Sequence, residues 1–234
     1  MAQKRKDWNG LISGFKASDL VFLDESGCNT DMTRRYAYSL GGSRAVDSAP
    51  LSKPKNTTIL PSIQLDGTLR YTTFSGGTTV ERFKRYLETD LLPHLNGNSV
   101  LIMDNMKSHH ARAVRNLLDS SGVRYIYLPP YSPDLNPIEK LWSTVKSFLR
   151  KFKARTLDAL PNAIQCAFQT VSPSDCSGWF HSCGYSPYFL KIAIITNNSI
   201  TGRLEKRPPR FDVSRICLYE NRQSANHNQF SPCG

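Results

Sequence analysis

Apolar residues recur along this chain in two rhythms. Short, nearly unbroken apolar runs at 19–24, 99–104 and 123–128 read as strands. Two more extended runs, 57–65 and 68–74, are joined by Asp66-Gly67, a dipeptide suited to the positive φ of a tight hairpin. Residues 36–40 could add a short strand. Elsewhere the spacing changes to three and four. Val80, Phe83, Leu87 and Leu91 predict a helix over 79–92 that Pro93 ends, and Val114, Leu117 and Leu118 predict one from about 109 to 120, stopped by Gly122. Pro129 and Pro130 stop the strand at 123–128, because proline has no N–H for a ladder. Asn136 is a good N-cap and Pro137 suits the first helical position, so a helix starts there with the stripe Ile138, Leu141, Trp142, Val145, Phe148, Leu149. Thr156 caps a helix to about 170, with Leu157, Leu160, Ile164 and Phe168 inward. Ser172 and Asp175 resemble a capping box that opens a last helix ending at Gly184.

The order is strand, hairpin, helix, strand, helix, strand and three helices. It predicts an α/β domain: a mixed five-stranded sheet flanked by helices, in which the first and fourth strands are neighbours. Residues 1–18 form a basic lead-in containing Lys4-Arg5-Lys6, residues 19–186 the domain, and residues 187–234 an irregular or disordered tail.

Three carboxylates stand out against this pattern. Asp24 ends the first apolar strand and Asp104 ends the fourth. In open α/β sheets, sites collect at the carboxyl ends of strands. Glu139 falls in the first turn of the helix after the fifth strand, on the flank of its apolar stripe. A capping-box role accounts for Glu139 equally simply. Together with the aspartates, however, it makes a three-carboxylate cluster.

Charge adds a partner. The chain has 234 residues and a net charge of +11, which favours a polyanion, nucleic acid first. Most of the excess lies in residues 1–186, so it is not confined to the tail. Arg34 and Arg35 in the loop after the first strand, and Lys140, Lys146, Arg150 and Lys151 on and after the Glu139 helix, are candidate phosphate contacts; a solvated surface is the plainer reading of each. None of the six cysteines forms a C-x-x-C pair, and reduced thiols in a cytoplasmic protein are expected. Cys176, His181 and Cys183 lack an evident fourth zinc ligand. No apolar stretch has the length of a membrane span, and no signal peptide is visible.

Phe22-Leu-Asp24-Glu-Ser-Gly27, Met103-Asp104-Asn-Met-Lys-Ser-His109 and Leu128-Pro-Pro-Tyr-Ser-Pro-Asp-Leu-Asn-Pro-Ile-Glu139-Lys-Leu-Trp142 resemble the three blocks of DDE transposases of the mariner-like superfamily, in particular the bacterial insertion-sequence family six-thirty. The 34 residues between Asp104 and Glu139 match the spacing of that group. The resemblance implies a ribonuclease-H-like fold, with Asp24, Asp104 and Glu139 as the catalytic, metal-holding triad. It implies two Mg²⁺ or Mn²⁺ ions, a choice that hard carboxylate oxygens favour. The activity implied is cleavage of double-stranded DNA at transposon ends and strand transfer into target DNA by in-line phosphoryl transfer. Asn105, His109 and Asn136 fall in the same blocks as supporting residues. A homodimer on DNA, near the bacterial nucleoid, is also implied. Residues 1–18 leave no room for a helix-turn-helix, so recognition of the ends is expected to need such a module upstream. The alternative is an inactive or truncated remnant that only binds DNA or a partner subunit.

Overall fold

In a computed structural model describing residues 2–34, 36–48, 50 and 54–185, the apolar runs form one mixed sheet. Strand β1 (Leu20–Leu23) pairs in parallel with β5 (Val100–Met103), which pairs in parallel with β6 (Arg124–Tyr127). On its other edge β1 runs antiparallel to β3 (Thr57–Gln64), and β4 (Leu69–Ser75) closes the hairpin with β3 across Asp66-Gly67. A short strand β2 (Ser26–Cys28) also lies on β3.

The sheet therefore has six strands, not the expected five, and the register explains the extra one. Val21 faces Gln64 and Leu23 faces Ser62; after a gap of two residues, Ser26 faces Ile59 and Cys28 faces Thr57, with no slip. Thus β1 and β2 are one strand interrupted at Asp24-Glu25. Pro61 stands opposite the break. Its carbonyl accepts the Asp24 N–H at 3.4 Å, but proline has no N–H to return to the Asp24 carbonyl. The ladder lapses over Asp24 and Glu25 and resumes in β2 in the same register.

Alternation along the strands builds two cores. Leu20, Phe22, Val100 and Ile102 pack on the face covered by α4 (Ile138–Phe152), α5 (Ala159–Gln169) and α6 (Pro173–Ser182). Val21, Leu23, Leu101 and Met103 pack on the face covered by α2 (Val80–Tyr86) and α3 (Arg112–Ser121). Burial on both faces is why these strands read as unbroken apolar runs.

Several expectations are corrected. The basic lead-in is helical, with α1 over Ala2–Ile12, and Trp8 anchors it in the core. Residues 36–40 form no strand; Tyr36, Tyr38 and Leu40 are exposed on an irregular segment. The helix expected over 79–92 changes winding: α2 passes into one π turn, Leu87–Leu91, and a 3₁₀ turn, Leu92–His94, which accommodates Pro93. Helix α3 starts at Arg112 because a tight turn, His109 N–H to Met106 O, precedes it. Leu157 is exposed, since α5 begins only at Ala159, where the Thr156 hydroxyl accepts the Ala159 N–H. The Ser172–Asp175 capping box is present. Residues 187–234, read as an irregular tail, lie outside the described residues.

Candidate active site

The parallel pairing of β1 with β5 sets Leu23 beside Met103, so the next residues, Asp24 and Asp104, leave adjacent strands side by side. Both continue the alternation of Phe22 and Ile102 and so belong to the face covered by α4. Helix α4 supplies the third carboxylate, Glu139, which is exposed.

Asn136 joins these parts. Its side-chain carbonyl accepts the Ile138 N–H at 3.3 Å, capping the start of α4, while its amide donates to Asp24 Oδ2 at 3.2 Å. Asp24 Oδ1 accepts the Glu25 N–H at 2.7 Å. Asp24 is only 8% exposed. Burial, followed by the nearby negative charges of Asp104 and Glu139, pushes its carboxyl up to about 7 against the smaller opposing effect of the Glu25 N–H. The indole N–H of Trp142 faces the same carboxyl, yet no hydrogen bond is completed.

A fourth acidic residue, Glu25, enters from the opposite face. His109 is fully buried and stacked on Phe83, with ring centroids 4.1 Å apart. Its Nδ1 lies 2.7 Å from Asp104 Oδ1 and its Nε2 lies 3.3 Å from Glu25 Oε2, whose side chain is 11% exposed. Burial opposes a charge on this ring, but the hydrogen bonds and charges of Asp104 and Glu25 outweigh it and hold the imidazolium up to about 9. Burial would likewise raise Asp104; the His109 hydrogen bond and charge bring it below the usual carboxylate range instead. Sequence reasoning named His109 but missed Glu25, whose only signal is its place directly after Asp24 where the strand breaks.

Asn105 donates from its side chain to the Leu128 carbonyl, tying the end of β5 to the loop that leads into α4. Of the basic candidates, Arg34, Lys146, Arg150 and Lys151 line one cleft, about 1170 Å³, together with Gly27, Cys28, Tyr36 and Tyr38. Lys140 does not line it, and Arg35 lies outside the described residues. Among the described residues, no three His, Cys, Asp or Glu side chains stand as ligands around a single ion. The donors themselves suit a hard cation: three carboxylates, one of them buried among like charges and facing an orphaned N–H.

These features define a class: a ribonuclease-H-like α/β domain with an acidic site at the carboxyl ends of its parallel strands. The profile of the DDE superfamily endonuclease family matches residues 19–161, and the chain belongs to that family. It is 29% identical over 97 residues to the transposable element Tc1 transposase of Caenorhabditis elegans, a match covering 40% of this chain and 36% of that protein. Its fold is similar to that of the Mos1 transposase in a pre-cleavage transpososome, with a TM-score of 0.67 at 19% identity over 78% of this chain and 59% of that one. The Mos1 strand transfer complex gives a TM-score of 0.62 at 20% identity, covering 78% and 58%. A Mos1 mariner paired-end complex with Mn gives 0.62 at 20% identity, covering 77% and 58%. The chain thus spans little more than half of these structures and about a third of Tc1. The expectation of a mariner-like DDE protein, drawn from two short blocks and one long one, agrees with both relatives. No helix among the described residues is long and apolar enough to cross a membrane.

Proposed function

We propose that this chain is the catalytic part of a DNA transposase that cleaves transposon ends and joins them to target DNA. The observation that carries this reading is the register of β1 and β5, which ends two parallel strands at Asp24 and Asp104 on the face where Asn136 ties the Glu139 helix to Asp24.

In this reading Asp24, Asp104 and Glu139 hold two divalent cations, Mg²⁺ or Mn²⁺. When bound, such ions supply the positive charge that activates an attacking oxygen and stabilises the leaving one at phosphorus. The chain's own residues do the positioning. Asn136 fixes the direction of Asp24, and His109, braced by Glu25 and Phe83, fixes Asp104. Glu139 adds its exposed carboxylate from the first turn of α4. Arg34, Lys146, Arg150 and Lys151 carry the DNA backbone along the neighbouring cleft. A homodimer pairing two DNA ends, with a helix-turn-helix module supplying end recognition, completes the proposed assembly.

The test is incubation of the full chain, with an end-binding module, with DNA carrying the element ends in Mg²⁺ or Mn²⁺. Nicks ending in 3′-hydroxyls are expected. Asp104→Asn and Glu139→Gln should each lose more than about a hundredfold in cleavage while still binding DNA. Cleavage undiminished in either variant would overturn the assignment. Metal-independent binding with no product from the parent chain would instead identify a DNA- or partner-binding remnant.

A further inference from the structure

The loop between β6 and α4 contains a feature that the acidic site does not explain. Tyr131 has φ +54, in the left-handed region, although it is neither glycine nor a small polar residue. Its side chain is not buried in return: the residue is 86% exposed, one of the most exposed aromatics among the described residues. Pro130 precedes it, and Pro133 opens a 3₁₀ turn, Pro133–Leu135, just beyond. The backbone is therefore held from both sides in an unfavourable conformation that puts a large flat ring in solvent. Strain of this kind persists only where the surroundings enforce it, and it collects at ligand clamps.

The space beside the ring has a defined shape. A cavity of about 370 Å³ is lined by both Tyr131 and Asp104, together with Asn105, Leu128, Pro130 and Asn136. A second, smaller cavity, about 200 Å³, is lined by Tyr131, Pro129 and Pro130 and by Lys4 of α1. The first lies within the range of small-molecule sites, roughly 300–1,000 Å³, enough for one nucleotide and too small for a duplex. Its lining is mixed, with Leu128, Pro129 and Pro130 on the apolar side and Asp104, Asn105, Ser132 and Asn136 on the polar side. Its two amides are held by the protein, Asn105 by the Leu128 carbonyl and Asn136 by Asp24 and the Ile138 N–H, so their direction is set before any base arrives.

We propose that Tyr131 is a stacking platform for one unpaired nucleobase of the DNA strand that enters the acidic site, with the Lys4 ammonium beside it taking the adjoining phosphate. Every base has a π face, so the platform tolerates any base; stacking of this type discriminates unpaired from paired DNA rather than one sequence from another. The site accordingly favours ends that are frayed or flipped next to the scissile phosphate. This inference rests on the proposed function only in that DNA reaches the site; it does not require that the chain cut it.

The test uses the full chain, without divalent metal, and two DNA probes of equal length: a blunt duplex, and a duplex with a short single-stranded fork carrying 2-aminopurine as its unpaired base. The parent chain should bind the fork about tenfold tighter than the duplex and quench the 2-aminopurine emission. Tyr131→Phe and Tyr131→Trp should keep both effects. Tyr131→Ala and Tyr131→Gly should lose the quenching and the preference while binding the blunt duplex as the parent does. Glycine matters here because it accepts φ +54 without strain, so its loss of the preference cannot be assigned to misfolding of the loop. Quenching and preference retained in both small variants, or absent in the parent, would overturn the proposal. Because the readout is binding, failure of the cleavage reading leaves it standing, and its own failure leaves cleavage untouched.

Discussion

At the scale of single residues, the site holds its charges in an arrangement that costs stability as pH rises. Asp24, raised from 3.8 to about 7 chiefly by burial, keeps a proton in the folded chain that the unfolded chain has already released. Between about pH 4 and 7 the folded state therefore binds more protons, and stability falls as pH rises through that window. His109 is raised from 6.5 to about 9 by Asp104 and Glu25 against the opposing effect of burial. Its contribution is fully present below pH 6.5 and is lost as pH climbs through about 9. Asp104, held low by His109 in spite of its own burial, acts the other way, and its contribution is lost only in acid. Without divalent metal, the melting temperature should thus decline from about pH 5 to 9. Asp24→Asn should flatten the part of that decline below pH 7, and His109→Gln the part above it. Melting curves across pH for the three proteins check this, and an Asp24→Asn curve parallel to the parent's would show that Asp24 is not the group responsible. The two residues differed in legibility. Asp24 was plain because it closes an apolar run. The Glu25–His109 contact was hidden because it joins a strand end to a turn 84 positions away, with no periodicity to announce it.

At the scale of elements, what sequence pattern revealed and what it hid follow from burial. Strands β1 and β5 were legible because helices cover both faces, so their apolar runs are continuous. Helix α4 was legible because one stripe alone is buried. Strand β2 was not, since Ser26-Gly27-Cys28 has no apolar rhythm and is a strand only because β3 keeps the register of β1 across the break. Helix α1 was missed for a similar reason: within Ala2–Ile12 a single residue, Trp8, reaches the core deeply, too little to make a stripe. The break itself is written in one residue, Pro61, visible in the sequence but meaningful only once its partner is known to be Asp24. Pro61→Ala returns the missing N–H to the Asp24 carbonyl. One recovered ladder bond is worth about 1 kcal/mol, offset in part by the greater freedom of the unfolded chain without proline. Stability to urea should change by less than about 1 kcal/mol in either direction. Cleavage should fall severalfold, because the recovered ladder bond would restrain the Asp24 backbone that the break leaves free to aim its carboxyl. Unchanged cleavage would mean that the break is incidental to the site.

At the scale of the molecule, the proposed function requires the acidic site and the basic surface to be successive stretches of one path. Glu139, Lys146 and Arg150 are spaced by seven and four residues, so at about 100° per residue they fall within roughly 20° of one stripe along α4. The carboxylate sits at the amino end of that stripe and the cations follow it. The cleft these cations share with Arg34 and Lys151 includes Gly27 and Cys28, just past the break in the strand. Lys146 is further steadied by its ammonium lying 5.8 Å from the centre of the Trp142 ring, the same ring whose N–H faces Asp24. A DNA backbone following the stripe would therefore arrive at the carboxylates without crossing the rest of the surface. The basic balance of the whole chain, +11, could by itself produce diffuse attraction, and the two cases differ in salt dependence. Contacts at defined phosphates release counterions, so each Lys or Arg removed from the path should lower the slope of log K against log salt by about 0.9. Lys146→Gln and Arg150→Gln should each do so and weaken duplex binding similarly for unrelated sequences. Lys140→Gln, on the same helix but off the stripe, should leave the slope near the parent value. Binding titrations of the four proteins over a range of salt decide it. Equal slopes for all three variants would assign the attraction to net charge and remove the path, leaving the acidic site without a track to feed it.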